Sequence, residues 1–345
     1  MMLECSPRIL VIRRDNIGDL VCTTPLLRAL REKLPAAWLG ILVNSYNAPV
    51  LAGNPDLDAI FTYAKRKHRA PGTSVVSLYW ARLKLIRQLR ALRLDYVILA
   101  APTFQASALR FARLIRPRHL VGYADPQGRI DMALAAPGGE PRHHVESVYA
   151  LGGFFGIEGA PPPLVLRADA ALAGQIATTP AAQSGKPLIG VHISAREADR
   201  RWPLQHFIAL CRELIEHRDC AVLLTWAPGD RNNPFFPGDD QAAQEISAAI
   251  ANPALTLCPT PNLETLCAAI SVCGLQISSD GGPVHLAAGL GKPVLCFFGE
   301  ENPAKWHPWG VPYALLRKPS RRVADIAVGE VLAEFDKLRN SCKLT

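Results

Sequence analysis

Residues Ser278 to Gly299 read SSDGGPVHLAAGLGKPVLCFFG. The apolar Leu275-Gln276-Ile277 runs into Ser278-Ser279-Asp280-Gly281-Gly282, Pro283 opens an apolar helical stretch, and Pro293 to Phe298 is a second apolar run. A short apolar run, a glycine turn, a helix and another short apolar run make a strand–helix–strand unit with both strands buried, the building block of a parallel α/β sheet. Two glycines let backbone approach a ligand closely, and Pro283 suits a first helical turn, where its missing N–H costs nothing. The unpaired amides of that turn form an anion site to which a diphosphate fits. A glycine turn alone would equally suit an ordinary strand-to-helix connection with Asp280 as its cap.

Working outward, the same alternation fills the chain. Arg8 to Arg13 (RILVIR) predicts a buried strand, followed by the turn DNIGD and a helix to about Lys33, with Leu26, Leu27, Leu30 and Leu34 at helical spacing. Trp38 to Val43 predicts a strand, Ser74 to Leu94 a long basic helix, Tyr96 to Ala100 a strand, and Gln105 to Ile115 a helix before the stretch HLVGY. Beyond Ala160-Pro161-Pro162-Pro163, a boundary signal, a second series starts at Pro187 to His192. It continues with a helix at Leu204 to Glu216, a strand at Ala221 to Leu224 and helices at Gln241 to Ile250 and Leu263 to Ile270.

The predicted fold class is therefore α/β, two Rossmann-like doubly wound domains facing a central cleft. Their expected extents are 1–165 and 170–322, with a C-terminal amphipathic helix and tail over 323–345. A length of 345 residues suits two domains of roughly 150 residues each. Ligands of open parallel sheets bind at the carboxyl ends of the strands.

Composition narrows the function. Hydrophobic residues at 49% and charged residues at 20% describe a packed globular chain. The nine cysteines include no CxxC pair and no His/Cys ligand spacing, which points to reduced thiols without zinc or disulfides. The N-terminal stretch lacks the apolar core of a signal peptide, and no apolar run approaches the roughly 20 residues that span a bilayer. A cytoplasmic location is the expectation, peripheral on the inner face of the inner membrane.

The net charge of +8 is concentrated, because Ala59 to Leu94 carries nine lysines and arginines and no acid. Lys65, Arg66, Lys67 and Arg69 open that run and Arg82 to Arg93 close it. A solvated helix face is the plain reading. With the remainder of the chain near neutral, a polyanion is the alternative: a phosphorylated lipid, an anionic membrane or a nucleic acid. Tyr79 and Trp80 are the only stacking residues in the helix, a poor platform for single strands.

Two further constellations stand at strand ends. Gly190 to Ala195 (GVHISA) leads to Asp199-Arg200-Arg201-Trp202-Pro203, where Arg200 or Arg196 could hold an anion, or a surface arginine pair could sit over a packed Trp202. Arg13 to Leu20 (RRDNIGDL) places Asp19 at a helix start, as a cap or as a carboxylate general base, with Asp15 as the competing acid. His143, His144, His192 and His285 are not at metal-ligand spacing.

The segment Asp280, Gly282, His285, Ala287, Ala288, Gly291, Lys292, Pro293, Phe298 and Gly299, followed by Pro303 and Trp306, resembles the signature of the lipopolysaccharide heptosyltransferases, glycosyltransferase family 9, of GT-B fold. The resemblance extends from Ile9 to about Pro308. It implies an inverting transferase that moves heptose from ADP-heptose to a phosphorylated glycolipid, the lipopolysaccharide inner core. It also implies donor phosphate contacts from Asp280, Gly281, Gly282 and His285, with Gly281 departing from the family's usual Ser or Thr. Arg200 stands at the position of a phosphate-binding lysine on the loop that Ser194 opens, and Asp19 at that of the catalytic base. No metal or cofactor is implied beyond the nucleotide-sugar donor. The basic residues Lys65, Arg66, Lys67 and Arg69 are the expected acceptor contacts, an anionic membrane surface the expected partner, and nucleic acid is not expected.

Competing readings remain. A nicotinamide oxidoreductase is disfavoured, because no GxGxxG follows the first strand and Val43-Asn44 stands where a ribose-binding acid belongs. A sugar-nucleotide epimerase shares the architecture, as does a transferase with another donor or a non-lipid acceptor. A polyanion-binding protein is the non-enzymatic alternative.

Overall fold

The computed structural model describes residues 6–63, 75–135, 138–233 and 237–344. The chain divides into two compact units, Met1–Val165 and Leu166–Thr345.

Unit 1 runs β1 (Arg8–Ile12), α1 (Ile17–Val21), α2 (Thr24–Lys33), β2 (Trp38–Asn44), β3 (Ala59–Tyr63), α3 (Val75–Ala91), β4 (Tyr96–Leu99), α4 (Ala106–Ile115), β5 (His119–Tyr123), β6 (Met132–Leu134) and α5 (His144–Tyr149). Its strands form one sheet of order β3-β2-β1-β4-β5-β6, and every pairing is parallel. From β1 the chain steps outward to β2 and β3, then returns to β4 on the other side. The order reverses between β1 and β4, and a crevice opens there at the carboxyl ends.

Unit 2 runs α6 (Ala170–Ala177), β7 (Leu188–His192), α7 (Leu204–Glu216), β8 (Ala221–Trp226), α8 (Asp240–Ile250), β9 (Leu255–Pro259), α9 (Leu263–Val272), β10 (Leu275–Ser279), α10 (Gly282–Gly289), β11 (Val294–Phe298), α11 (Pro303–Trp306), β12 (Tyr313–Arg317) and α12 (Val328–Cys342). Its sheet, β12-β11-β10-β7-β8-β9, repeats the same plan with the switch between β7 and β10. All its pairings are parallel too.

The central strands are buried on both faces, as their unbroken apolar runs require: β4, β7, β8, β10 and β11 have no exposed residue. Gly190 on β7 lies beside Gln276 on β10, and a Cβ there would fall 2.3 Å from the Gln276 Oε1. Val331, Phe335 and Leu338 of α12 are buried in the unit 2 core with Leu210, Leu214 and Phe297. The terminal helix is thus part of that core.

The predicted single helix from the DNIGD turn to Lys33 is two helices. Pro25 has no N–H to continue the ladder to the Val21 carbonyl, and the Thr24 hydroxyl donates to that carbonyl instead, at 2.8 Å. The Thr23 hydroxyl donates to the Asp19 carbonyl at 2.9 Å, closing α1 after five residues. The terminal amphipathic helix predicted from Val323 begins at Val328, after a single 3₁₀ turn.

Candidate functional site

In unit 1, β1 delivers Arg13 to the switch point. Its side chain is only 1% exposed, donates from Nη1 to the Ala100 carbonyl beyond β4, and donates from Nη2 to Asp19 Oδ1 at 2.5 Å. The arginine therefore bridges the crevice between β1 and β4 and fixes Asp19 beside it. Asp19 is the third residue of α1, where its Oδ2 accepts the Asn16 amide at 3.0 Å. It is both a cap and a placed carboxylate.

His144, the first residue of α5, brings Nδ1 to 3.6 Å from Asp19 Oδ1. Burial pushes the Asp19 carboxyl upward, but the neighbouring His144 imidazole, the Arg13 charge and the Asn16 amide outweigh it and hold the pKa at about 2. Asp15, the competing acid, accepts from Gln105 Nε2 at 3.0 Å and stands 3.6 Å from Arg13 Nε. Arg14 turns away, its guanidinium 4.8 Å over the Tyr63 ring.

In unit 2 the corresponding edge carries Asp280, Gly281 and α10. Gly281 is the N-cap at φ 150° and ψ −162°, a conformation that favours glycine, and no side chain caps the helix. The departure from Ser or Thr thus has a backbone reason: this turn holds its residue where an L side chain is strained, although the nearest atom to a Cβ, Pro283 Cδ, is 3.9 Å away. Gly282 and Pro283 form the first helical positions, leaving the early amides for an anion.

Arg200 ends a 3₁₀ turn, Ala198–Arg200, and is divided between two carboxylates. Nη1 lies 3.0 Å from Asp280 Oδ2 and Nη2 lies 3.0 Å from Glu301 Oε1. Burial pushes the Asp280 carboxyl up to about 6 despite Arg200, with Glu301 and Asp199 adding to the rise. The cation is therefore delivered to the start of α10 already engaged by acids. Arg196, the weaker candidate cation, pairs with the adjacent Glu197 at 3.0 Å.

Ser194 and His285, the other predicted donor residues, have structural partners, as do His192 and Trp226 at neighbouring strand ends. Ser194 donates to Asp239 Oδ2 at 2.6 Å and accepts the Ala227 amide at 2.9 Å. That hydroxyl pins the loop after β7 to the loop after β8. His285 is buried, with its ring edge-on to Trp306 at 5.5 Å. His192 is buried and donates to, or accepts from, the Thr225 hydroxyl at 3.0 Å, and burial lowers its pKa to about 4. Trp226 donates to Asp240 Oδ1 at 2.7 Å. Lys65, Arg66, Lys67 and Arg69 lie outside the described residues.

Sequence reasoning passed over two residues. His144 was set aside with the histidines of no metal spacing, although the capping box of His143 with Glu146 marks its position as a helix start. Glu301 follows β11 in a run, Gly299-Glu300-Glu301-Asn302, with no pattern that singles it out. Among the described residues no group of three or more His, Cys, Asp or Glu side chains could hold a metal ion. No described helix is long and apolar enough to cross a membrane.

Comparison with known proteins places these features in a family. Residues 82–327 match glycosyltransferase family 9 (heptosyltransferase). The chain is 24% identical over 316 residues to lipopolysaccharide heptosyltransferase 3 of Escherichia coli, covering 85% of this chain and 83% of that protein. The crystal structure of a glycosyl transferase family 9 protein from Veillonella parvula superposes with a TM-score of 0.81 at 18% identity, covering 98% of this chain and 99% of the other. E. coli heptosyltransferase WaaC with ADP-2-deoxy-2-fluoro heptose superposes with a TM-score of 0.73 at 18% identity over 96% of this chain and 99% of that one. These likenesses agree with the two parallel doubly wound sheets of a GT-B fold. The chain belongs to glycosyltransferase family 9, the heptosyltransferases, and is a glycosyltransferase enzyme.

Proposed function

We propose that the enzyme transfers heptose from ADP-heptose to a phosphorylated inner-core lipopolysaccharide acceptor at an anionic membrane face, with inversion at the anomeric carbon. Membership of the heptosyltransferase family supports the reaction class, and the solved WaaC complex with an ADP-heptose analogue supports the donor. The observation that carries the reading is the pair of switch-point sites, an ionised, fixed carboxylate in unit 1 and an uncapped helix start beside a cation in unit 2.

In this reaction an acceptor hydroxyl oxygen bonds to the anomeric carbon as the bond from that carbon to the ADP phosphate oxygen breaks. The hydroxyl proton passes to Asp19, and the electron pair of the broken bond leaves with ADP. A carboxylate held at about 2 is a weak base toward a ground-state alcohol. It becomes adequate late in the transfer, when bonding to the sugar has made the hydroxyl strongly acidic. His144 stands beside it to share the proton. On the donor side, the α10 amides and Arg200 stabilise the negative charge that grows on the departing diphosphate. Lys65, Arg66, Lys67 and Arg69 take acceptor phosphates and sugar acids.

The test is to supply ADP-heptose and a heptose-free inner-core acceptor and to measure product mass with wild type and Asp19→Asn. Transfer by wild type and its loss in a folded variant are expected. Undiminished turnover in the variant would remove Asp19 from its role.

A further inference from the structure

Two helices of unit 1 build a surface that the transfer chemistry does not use. The connections from β3 to β4 and from β4 to β5 step across the sheet in the same direction, so right-handed crossovers put α3 and α4 on one face of it. Their inner sides share one apolar cluster, Leu85, Ile86 and Leu89 with Leu109, Phe111 and Ala112. Arg90 Nε of α3 donates to the Leu114 carbonyl of α4 at 2.6 Å, tying the helices together.

The outer side is cationic and aromatic. Between Ser77 and Arg118 the chain has nine lysines and arginines and one acid, Asp95. That acid is buried, accepting the Arg8 amide and pairing with Arg118 at 3.2 Å. Lys84, Arg87 and Arg90 on α3 and Arg110 and Arg113 on α4 are exposed, and among the described residues none of these five has an ion pair. The basic surface therefore extends beyond the charged run of α3 onto a second helix. Tyr79 is 63% exposed, Trp80 60% and Leu114 42%, large apolar groups in water amid the charge.

Tyr79 and Trp80 lie in the amino-terminal part of α3, which begins at the carboxyl edge of the sheet. Arg82 there stacks on Phe111 at 5.5 Å, the ring that also takes Arg14 from the loop after β1. The aromatic end of the surface is thus at the same edge of unit 1 as Asp19. α3 has 17 residues, about 25 Å of helix.

Interfacial tryptophan and tyrosine seat at the headgroup level of a bilayer, and each nearby cation adds attraction to anionic lipid. A nucleic acid would match the charge but leave no use for a Tyr79–Trp80 pair confined to one helix end. We propose that the α3–α4 face is a docking surface for an anionic lipid bilayer, with Tyr79 and Trp80 entering the headgroup layer and the α3 and α4 cations lying along it. This rests on the reading of the enzyme as acting on a lipid-linked acceptor, and it names the surface that brings the enzyme to it.

The full chain is sedimented with vesicles of phosphatidylcholine alone and with vesicles containing phosphatidylglycerol, without donor or acceptor. Wild type should bind the anionic vesicles and not the neutral ones. The variants Lys84→Gln/Arg87→Gln/Arg113→Gln and Tyr79→Ser/Trp80→Ser should each weaken binding by at least about tenfold. Both should retain wild-type transfer to a soluble, delipidated acceptor, which reports that they fold and tests the transfer reading separately. Equal binding of wild type and variants, no vesicle binding by wild type, or preferential binding to duplex DNA would overturn the docking surface.

Discussion

His144 Nδ1 stands 3.6 Å from Asp19 Oδ1, on the side of the carboxylate not taken by the Asn16 amide. The relationship joins the first turn of α5 to the first turn of α1, 125 residues earlier in the chain, and it gives Asp19 an imidazole neighbour. Replacing His144 with Ala removes one of the groups that hold the Asp19 pKa low and a partner for its proton. The expected outcome is a loss of about 10- to 100-fold in kcat with donor KM little changed. Unchanged kcat in a folded His144→Ala protein would make the contact purely structural.

Arg13 and Asp19 should also set acid stability. The folded Asp19 pKa of about 2 lies below its ordinary 3.8, so its stabilising contribution is present above 3.8 and is lost as pH falls from 3.8 to about 2. The full effect is about 2 kcal/mol. Asp19→Asn keeps an acceptor for Arg13 and removes this acid-dependent loss. Asp19→Ala leaves a buried guanidinium without its carboxylate and should cost about 3–5 kcal/mol at neutral pH. Denaturant unfolding from pH 2.5 to 7 distinguishes the two, and identical acid limbs in wild type and Asp19→Asn would contradict the assignment.

Asp280 has the opposite sign. Its folded pKa of about 6 is above the ordinary 3.8, so above pH 6 the folded state carries the cost of a buried charge, and that cost is relieved as pH falls from 6 toward 3.8. Asp280→Asn should therefore raise stability above pH 6 by about 1–3 kcal/mol. A bound diphosphate adds negative charge beside the same carboxyl, so ADP binding near pH 6.5 should take up a proton at Asp280. Calorimetry in two buffers of different ionisation enthalpy measures that uptake. The same uptake in wild type and Asp280→Asn would rule out this site as its source.

Gly281 is the sharpest test of the donor turn. At φ 150° a side chain is strained whatever room surrounds it, and the room is ample. Gly281→Ser, which restores the hydroxyl usual in the family, should lower stability by about 1–3 kcal/mol and weaken ADP binding. Tighter ADP binding with unchanged melting temperature would mean that the turn accepts a side chain freely.

Much of this was legible in the sequence, for a reason visible in the two sheets. β1, β2, β4, β7, β8, β10 and β11 were predicted, and all are interior strands, whose burial on both faces writes an uninterrupted apolar run. The four edge strands, β3, β6, β9 and β12, were not. Their half-buried patterns, as in Ala59–Tyr63 and Leu255–Pro259, carry no such run. At the site, residues at strand ends were legible because glycine, proline and aspartate mark the turns. His144 and Glu301 were not, because their roles come from long-range packing: His144 meets Asp19 from the far end of unit 1, and Glu301 meets Arg200 from 101 residues away. The Ser194 hydroxyl, on the loop expected at the donor, has Asp239 and the Ala227 amide as partners, a long-range pairing that the sequence does not mark.

The central claim is tested most directly by product mass after incubation with a panel of nucleotide sugars and a heptose-free inner-core acceptor. A single addition of heptose from ADP-heptose, lost in a folded Asp19→Asn protein, is the predicted result. Absence of transfer from ADP-heptose, with transfer from another nucleotide sugar or from none, would contradict it.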